Sequence, residues 1–139
     1  MVKTTVVETS AGEPGAKDRT LRLLVAEDAP FIAMDVEMTL TQAGHTVIGP
    51  AASVSAALTL IDQQPIDFAF LDVDLQGERV TPVAKRLRTL GIPFVLMTGY
   101  EEERLSIPGL ERVKVIRKPF DGTALLSALP PVGRDQGQD

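Results

Sequence analysis

The chain of 139 residues has no cysteine, one histidine and few aromatic side chains, which make up 4% of its residues. The absence of cysteine excludes a disulfide scaffold, a thiolate metal site and a cysteine nucleophile. A multi-histidine zinc site is excluded as well, and a Ser-His enzyme would have to use His45. We interpret His45 as an ordinary residue at the start of a strand.

Long apolar runs and an excess of positive charge are also missing. The apolar runs are only a few residues long, whereas a transmembrane helix needs about 20. Met1–Thr20 lacks the apolar stretch of a signal peptide. The net charge is −5, so the basic surface of a dedicated DNA-binding protein is not expected. We therefore expect a cytoplasmic protein that contacts neither a membrane nor DNA directly.

What is present suits one folded domain. Hydrophobic residues account for 44% of the chain and charged residues for 24%, which is enough apolar matter for a single core. Both ends are aperiodic and rich in glycine, proline and polar residues. We therefore predict a flexible leader over residues 1–19, a domain over 20–129 and a flexible tail over 130–139.

Within this domain, short apolar runs alternate with segments of helical period. Helical stripes follow the first, second, third and fifth runs, and Ser53 and Asp121 are in N-cap positions. The helical signal is poor between the fourth and fifth runs. Such alternation predicts a doubly wound α/β domain with a parallel sheet and a short or irregular fourth helix. The five predicted strands are residues 21–26, 46–48 (closed by Gly49-Pro50), 67–71, 94–97 and 113–116.

Polar residues stand where these strands end, and open α/β sheets bind their ligands at that edge. Carboxylates brought together without a cation resist ionisation, and Mg²⁺ prefers such oxygen ligands. An ammonium and a hydroxyl are suited to a phosphoryl group, which an aspartate can accept as a nucleophile. The pattern predicts Mg²⁺-dependent phosphoryl acceptance on a carboxylate. The strand-end residues are Glu27, Asp28, Asp72, Asp74, Thr98 and Lys118.

In this order, Glu27-Asp28, Asp72, Thr98 and Lys118-Pro119-Phe120 resemble the receiver domain of two-component response regulators. The resemblance covers residues 20–129 and implies a flavodoxin-like strand order of 2-1-3-4-5. It implies that Asp72 accepts a phosphoryl group from a histidine kinase or a phosphotransfer protein. Thr98 would then close on the phosphoryl oxygens, and Lys118 would pair with one of them.

The resemblance also implies the magnesium ligands. Asp28 and Asp72 would bind Mg²⁺ directly, the backbone carbonyl of Asp74 would be a third ligand, and Glu27 would act through water. A cis peptide bond is expected before Pro119, since cis bonds are typical of X-Pro.

Three departures from the family pattern are present. Glu27 stands where aspartate is common, and Val115 stands where a tyrosine or phenylalanine usually rotates inward with the threonine. The run Pro93–Tyr100 resembles an atypical subgroup associated with HWE-type histidine kinases, which has a Phe-x-x-x-Thr-Gly-Tyr-like run and lacks the aromatic switch. Leu96 and Met97 replace the inner phenylalanine and alanine of that run.

These features lead us to expect a stand-alone response regulator that is not an enzyme beyond slow self-dephosphorylation. Asp74 and Tyr100 lie two residues beyond Asp72 and Thr98, and we expect them to tune hydrolysis of the acyl phosphate. The chain would relay the phosphoryl group, drain it from a kinase or bind a downstream protein differently. It would be a monomer or a phosphorylation-dependent dimer.

Three other functions are open to the same residues. Asp72-Val73-Asp74 imitates the Asp-x-Asp of haloacid-dehalogenase-like phosphatases, but that family needs a second acidic pair after the lysine, where this chain has only Asp121. A flavodoxin-like FMN protein is disfavoured because the loop after the first strand is acidic and repels phosphate. A pseudo-receiver that only docks partners would not need the phosphorylation residues that this chain retains.

Overall fold

Five parallel strands form the centre of this computed structural model, which describes residues 20–99, 109–110 and 112–130. Along the sheet they follow the order β2-β1-β3-β6-β7, which confirms the predicted order of five main strands. In chain order the elements are β1 (Arg22–Ala26), α1 (Pro30–Gln42), β2 (Thr46–Ala51), α2 (Val54–Gln63), β3 (Phe68–Asp72), β4 (Asp74–Leu75), β5 (Glu78–Arg79), α3 (Thr81–Thr89), β6 (Phe94–Thr98), β7 (Val115–Arg117) and α4 (Gly122–Ser127).

The central strands are apolar on both faces because helices cover both sides of a parallel sheet. One core cluster joins Leu24, Ala69 and Leu71 to the buried faces of α2 and α3, which contact each other. Side chains alternate along a strand, so Leu23 and Phe70, also without exposed surface, point to the other side. The helices α1 and α4 form the second contacting pair.

Local signals in the sequence set the helix starts. The Ser53 hydroxyl accepts a hydrogen bond from the N–H of Ala56 at 3.0 Å, and the Asp121 carboxylate accepts one from the N–H of Ala124 at 3.1 Å. Both predicted N-caps are therefore confirmed. Pro30 begins α1, where its missing N–H leaves no intrahelical bond unmade.

The prediction that the second strand closes at Gly49-Pro50 is wrong, since β2 continues to Ala51. The Gly49-Pro50 peptide bond is cis, Gly49 has φ +108°, and the register with β1 shifts beside it. The chain thus passes the proline without leaving the sheet. As a result, the carbonyl of Ala51 accepts a hydrogen bond from the N–H of Glu27 at 2.9 Å and fixes the chain just after β1.

His45 has a structural role at the other end of the strands, where β1 and β2 begin. Its Nδ1 accepts a hydrogen bond from the N–H of Leu21 at 3.1 Å, which links the starts of β1 and β2. Burial lowers the pKa of His45 below its usual value and favours the neutral ring that this acceptor role requires.

A small antiparallel hairpin of β4 and β5 follows β3 and was not predicted. Each of its strands has two residues, too short for a hydrophobic period to indicate. The predicted fourth helix falls in the gap between the described ranges, and the predicted leader and most of the tail also lie outside them. No helix of the described residues is long and apolar enough to span a membrane.

We expect Gly49→Ala to destabilise the domain much more than Gly44→Ala does. Both glycines have positive φ, but a Cβ on Gly49 would lie 2.9 Å from the carbonyl oxygen of Val25, whereas a Cβ on Gly44 meets nothing within 4 Å. Gly44→Ala should lower the free energy of unfolding by about 1 kcal/mol, the cost of the left-handed backbone. Gly49→Ala should lower it by at least about 2 kcal/mol more. Equal losses in urea denaturation would contradict the close approach.

Candidate functional site

Four charged side chains meet at the carboxyl edge of the sheet. Glu27 and Asp28 directly follow β1, Asp72 is the last residue of β3, and Lys118 directly follows β7. Glu27, Asp28 and Asp72 each place one carboxylate oxygen within 4.8 Å of the other two. The edge therefore gathers three carboxylates around one ammonium group.

The ammonium group of Lys118 bridges two of these carboxylates. Its Nζ lies 2.8 Å from Oε1 of Glu27 and 3.3 Å from Oδ2 of Asp72. The Glu27 side chain is completely buried, while those of Lys118 and Asp72 are 17% and 13% exposed. Because a buried charge left without its partner costs about 3–5 kcal/mol, the burial of the Glu27 carboxylate depends on its contact with Lys118.

The backbone around Lys118 holds the ammonium in place. The peptide bond between Lys118 and Pro119 is cis, as the family resemblance implied. The N–H of Lys118 donates to the carbonyl of Thr98 at 2.7 Å, which joins the ends of β7 and β6. This hydrogen bond keeps the backbone of Lys118 beside the strand that carries Thr98.

Burial and the charges of the site together displace two pKa values. Burial, followed by the nearby Glu27 carboxylate, raises the pKa of Asp72 to about 7, although Lys118 opposes this rise. Burial alone would lower the pKa of Lys118, but contact with Glu27 and attraction by Asp72 outweigh it and raise that pKa. One ammonium thus does not compensate the buried carboxylates, and a further cation would favour the ionised form of Asp72.

The two carboxylate oxygens of Glu27 differ in their hydrogen bonding, and this difference bears on whether a cation would fit the site. Oε2 accepts a hydrogen bond from the N–H of Ala29 at 3.1 Å. Oε1 has the ion-pair contact with Lys118, but no described residue gives it a well-directed hydrogen bond. A buried carboxylate oxygen with spare acceptor capacity, beside oxygens of Asp28 and Asp72, fits a hard divalent cation such as Mg²⁺.

Two residues that the sequence analysis did not single out, Gln76 and Arg79, contact the carboxylates of Asp28 and Asp74. The backbone N–H of Gln76 donates to Oδ2 of Asp28 at 2.7 Å. Nη1 of Arg79 lies 3.3 Å from Oδ1 of Asp74, its partner across the hairpin. Gly77 is a local turn signal, but nothing in the sequence shows that the N–H of Gln76 reaches Asp28.

The other predicted residues lie on neighbouring strands or outside the described part. Thr98 ends β6, is buried, and lies one residue beyond Met97, which is in register with Asp72. Val115 begins β7 and is partly buried, so an aliphatic side chain occupies the position of the usual aromatic switch. Tyr100 lies outside the described residues.

Comparisons of sequence identify regulators. The family model described as response regulator receiver domain matches residues 23–130. The phyllosphere-induced regulator PhyR of Methylorubrum extorquens is 32% identical over 113 residues, which are 79% of this chain and 42% of that protein. The sensory transduction protein LytT of Bacillus subtilis is 31% identical over 105 residues, or 73% of this chain and 43% of that protein. The chain thus spans less than half the length of these curated relatives.

Comparisons of structure agree. The crystal structure of the response regulator PhyR from Brucella abortus has a TM-score of 0.69 at 31% identity and covers 78% of this chain and 47% of that one. The solution structure of SdrG from Sphingomonas melonis Fr1 has a TM-score of 0.69 at 35% identity and covers 78% of this chain and 92% of that one. A CheY-like receiver from Methanospirillum hungatei, at 24% identity and a TM-score of 0.69, supports the fold alone.

We expect Asp72→Asn to stabilise the domain at high pH in the absence of divalent cations. The folded-state pKa of about 7 lies above the usual value of 3.8, so between these values the folded state binds more protons and the wild type loses stability as pH rises. The variant lacks this penalty and should gain about 1–4 kcal/mol at pH 8 but nothing near pH 4.

Urea denaturation with a chelator present measures this gain. Asp121→Asn makes the same chemical change at an exposed cap and provides the matched control. A gain for Asp72→Asn that is the same at both pH values would contradict the buried charge as its cause.

Proposed function

Because the chain belongs to the response regulator receiver domain family, we propose that it accepts a phosphoryl group on Asp72 in two-component signalling. The observation that supports this most is the position of Asp72 at the end of β3, where Oδ2 lies 3.3 Å from the Lys118 ammonium beside Glu27 and Asp28. An aspartate in such a place is a nucleophile with a charge partner already present.

The proposed step is an in-line phosphoryl transfer from a phosphohistidine. A carboxylate oxygen of Asp72 attacks phosphorus, the P–N bond breaks, and its electron pair returns to the imidazole of the donor. An acyl phosphate of Asp72 results. Lys118 pairs with a phosphoryl oxygen, and the Thr98 hydroxyl donates a hydrogen bond to another.

Asp28, Asp72 and the backbone carbonyl of Asp74 are the proposed direct ligands of Mg²⁺, with Glu27 acting through water. When bound, Mg²⁺ supplies positive charge that offsets the carboxylates and the incoming phosphoryl oxygens. Glu27 has a second role in this proposal, since its 2.8 Å contact positions the Lys118 ammonium toward Asp72.

Phosphorylation adds about 1.5 to 2 negative charges at Asp72, and we propose that Lys118 then turns from Glu27 toward the phosphoryl group. With Val115 in place of an aromatic switch, the change would pass along the hydrogen bond from Lys118 N–H to the Thr98 carbonyl. Asp74, and Tyr100 outside the described residues, are proposed to tune a slow self-dephosphorylation.

The proposed role is that of a receiver, with its domain over residues 20–129, working in the cytoplasm. Receiver domains act as signalling modules, so the output is a phosphoryl relay or an altered contact with a downstream protein. An HWE-type histidine kinase is the proposed donor because the run Pro93–Tyr100 resembles the subgroup found with such kinases. Family membership weighs against the phosphatase alternative, and a docking-only pseudo-receiver remains an outcome of the phosphorylation test below.

An apolar stripe on α1 of this chain is the candidate surface at which the donor protein would dock. Phe31, Met34 and Met38 are 83%, 49% and 51% exposed and lie at positions i, i+3 and i+7 of one helix face. Phe31 also lines a cavity of about 460 Å³ together with Lys118 and Phe120. The stripe thus begins beside the acceptor site, where a protein that presents a phosphohistidine would have to bind.

Incubation with Mg²⁺ and acetyl phosphate should add one phosphoryl group to the wild type. Asp72→Asn should add none, because it lacks the nucleophilic carboxylate, whereas Asp121→Asn should behave as the wild type. Intact mass spectrometry measures the gain. Equal labelling of Asp72→Asn would place the acceptor elsewhere. No labelling of the wild type by either a small donor or a kinase would favour the docking-only pseudo-receiver.

Phe31→Ala should slow transfer from a protein donor at least about tenfold and leave labelling by acetyl phosphate unchanged, since truncating an aromatic anchor of an interface costs more than about 1.4 kcal/mol. Leu90→Ala is the matched control, because Leu90 is 50% exposed after α3 and away from the stripe. The histidine kinases of the same genome, autophosphorylated with labelled ATP, serve as donors. Equal slowing by both variants would contradict the docking surface.

A further inference from the structure

The β4–β5 hairpin carries an unusual backbone conformation at its tip. Gln76 has φ +51° and Gly77 has φ +86°, and positive φ at both central positions is the pattern of a type I′ turn. Asparagine or aspartate followed by glycine is favoured in such turns, whereas glutamine is not. Among the described residues, Gln76 is the one non-glycine residue with positive φ. Such conformations cost about 1–3 kcal/mol and persist where the surroundings enforce them.

The surroundings of the hairpin are rigid. Val73, Leu75 and Val80 have no exposed surface and anchor its base in the core. The N–H of Val80 donates to the carbonyl of Val73 at 2.8 Å and closes the hairpin, while the N–H of Val73 donates to Met97 at 3.1 Å. The tip itself is exposed, so its left-handed turn is imposed from the base and from what the tip contacts.

What the tip contacts is a carboxylate of the acceptor site. The Gln76 N–H donates to Oδ2 of Asp28 at 2.7 Å across 48 residues of sequence. The bond is short for N–H···O, as expected when the acceptor is charged. It occupies one oxygen of Asp28 and fixes the plane of the carboxylate, while Asp28 also offers an oxygen to the group with Glu27 and Asp72.

We propose that Gln76 is a positioning residue for the cation site: the strained hairpin turn holds its backbone N–H on Asp28 and orients that carboxylate toward the cation. This inference rests on the proposed function, because it concerns the same site. The side chain of Gln76 has no part in it; the backbone conformation does. Cation binding and hairpin order are then linked, and each strengthens the other.

Gly77→Val tests the role of the turn, because a β-branched residue strongly disfavours positive φ. A Cβ on Gly77 would meet nothing within 4 Å, so the change acts chiefly on the backbone conformation. Gly91→Val is the matched control, since Gly91 has φ +75°, equally open space, and a position between α3 and β6 at the opposite edge of the sheet. Calorimetric titration with Mg²⁺ should show affinity at least about tenfold weaker for Gly77→Val, and within about twofold of the wild type for Gly91→Val.

Two further measurements distinguish a role of the Gln76 backbone from a role of its side chain, and a local loss of the contact with Asp28 from a general loss of folding. Gln76→Asn keeps the N–H and suits the left-handed region, so it should bind Mg²⁺ at least as tightly as the wild type. Asp28→Ala removes the acceptor and should speed hydrogen exchange of the Gln76 amide at least about tenfold, while the buried Val25 amide of β1 stays protected.

Equal Mg²⁺ affinity of the two valine variants, weakened binding by Gln76→Asn, unchanged exchange at Gln76, or no Mg²⁺ binding by the wild type would each overturn the proposal. None of these readouts requires phosphorylation of Asp72. Failure of the proposed function would therefore appear separately, as an unlabelled Asp72 with the Mg²⁺ affinities still in the expected order.

Discussion

The ion pairs of Lys118 with Glu27 and Asp72 are the interactions on which the site depends. They can form only if the ends of β1, β3 and β7 meet at one edge, which is what the strand order provides. One ammonium does not offset both carboxylates, so burial and the nearby Glu27 raise the pKa of Asp72 although Lys118 opposes the rise. Lys118 is the ammonium that both carboxylates contact, and an added cation would favour the ionised form of Asp72.

Much of the fold follows from local signals that the sequence carries. Buried strands, helical stripes and the caps at Ser53 and Asp121 each depend on neighbouring residues. The two caps are where expected, and the bounds of the main strands other than β2 differ from the predicted ones by at most two residues. The predicted end of β2 was wrong because Gly49-Pro50 normally ends a strand, whereas here β2 takes up one extra residue relative to β1 and pairs again at Ala51. The β4–β5 hairpin was missed because two-residue strands have no period.

Some features of the candidate site could also be predicted from the sequence, and others could not. The chain positions of Asp72 and Lys118 at strand ends could be predicted, since parallel strands bring their carboxyl ends together. That Glu27 would be buried against Lys118 could not, because its partner lies at the far end of the domain sequence. The bond from Gln76 to Asp28 was also beyond sequence reasoning, since a backbone N–H has no residue signature. The residues that the sequence identifies indicate which chemistry the site can perform. The contacts of Glu27 and Gln76, which the sequence does not reveal, position those residues.

The most direct test of the buried Asp72 carboxylate is the titration of its carboxyl carbon by NMR, with ¹³C-labelled aspartate and with Asp72→Asn to assign the signal. We expect a midpoint near pH 7 without divalent cations, as the pKa of about 7 for Asp72 requires, and a midpoint at least one unit lower with Mg²⁺. A midpoint near the usual 3.8 without cations, or one that Mg²⁺ does not move, would contradict the view that Asp72 is a buried carboxylate awaiting a cation.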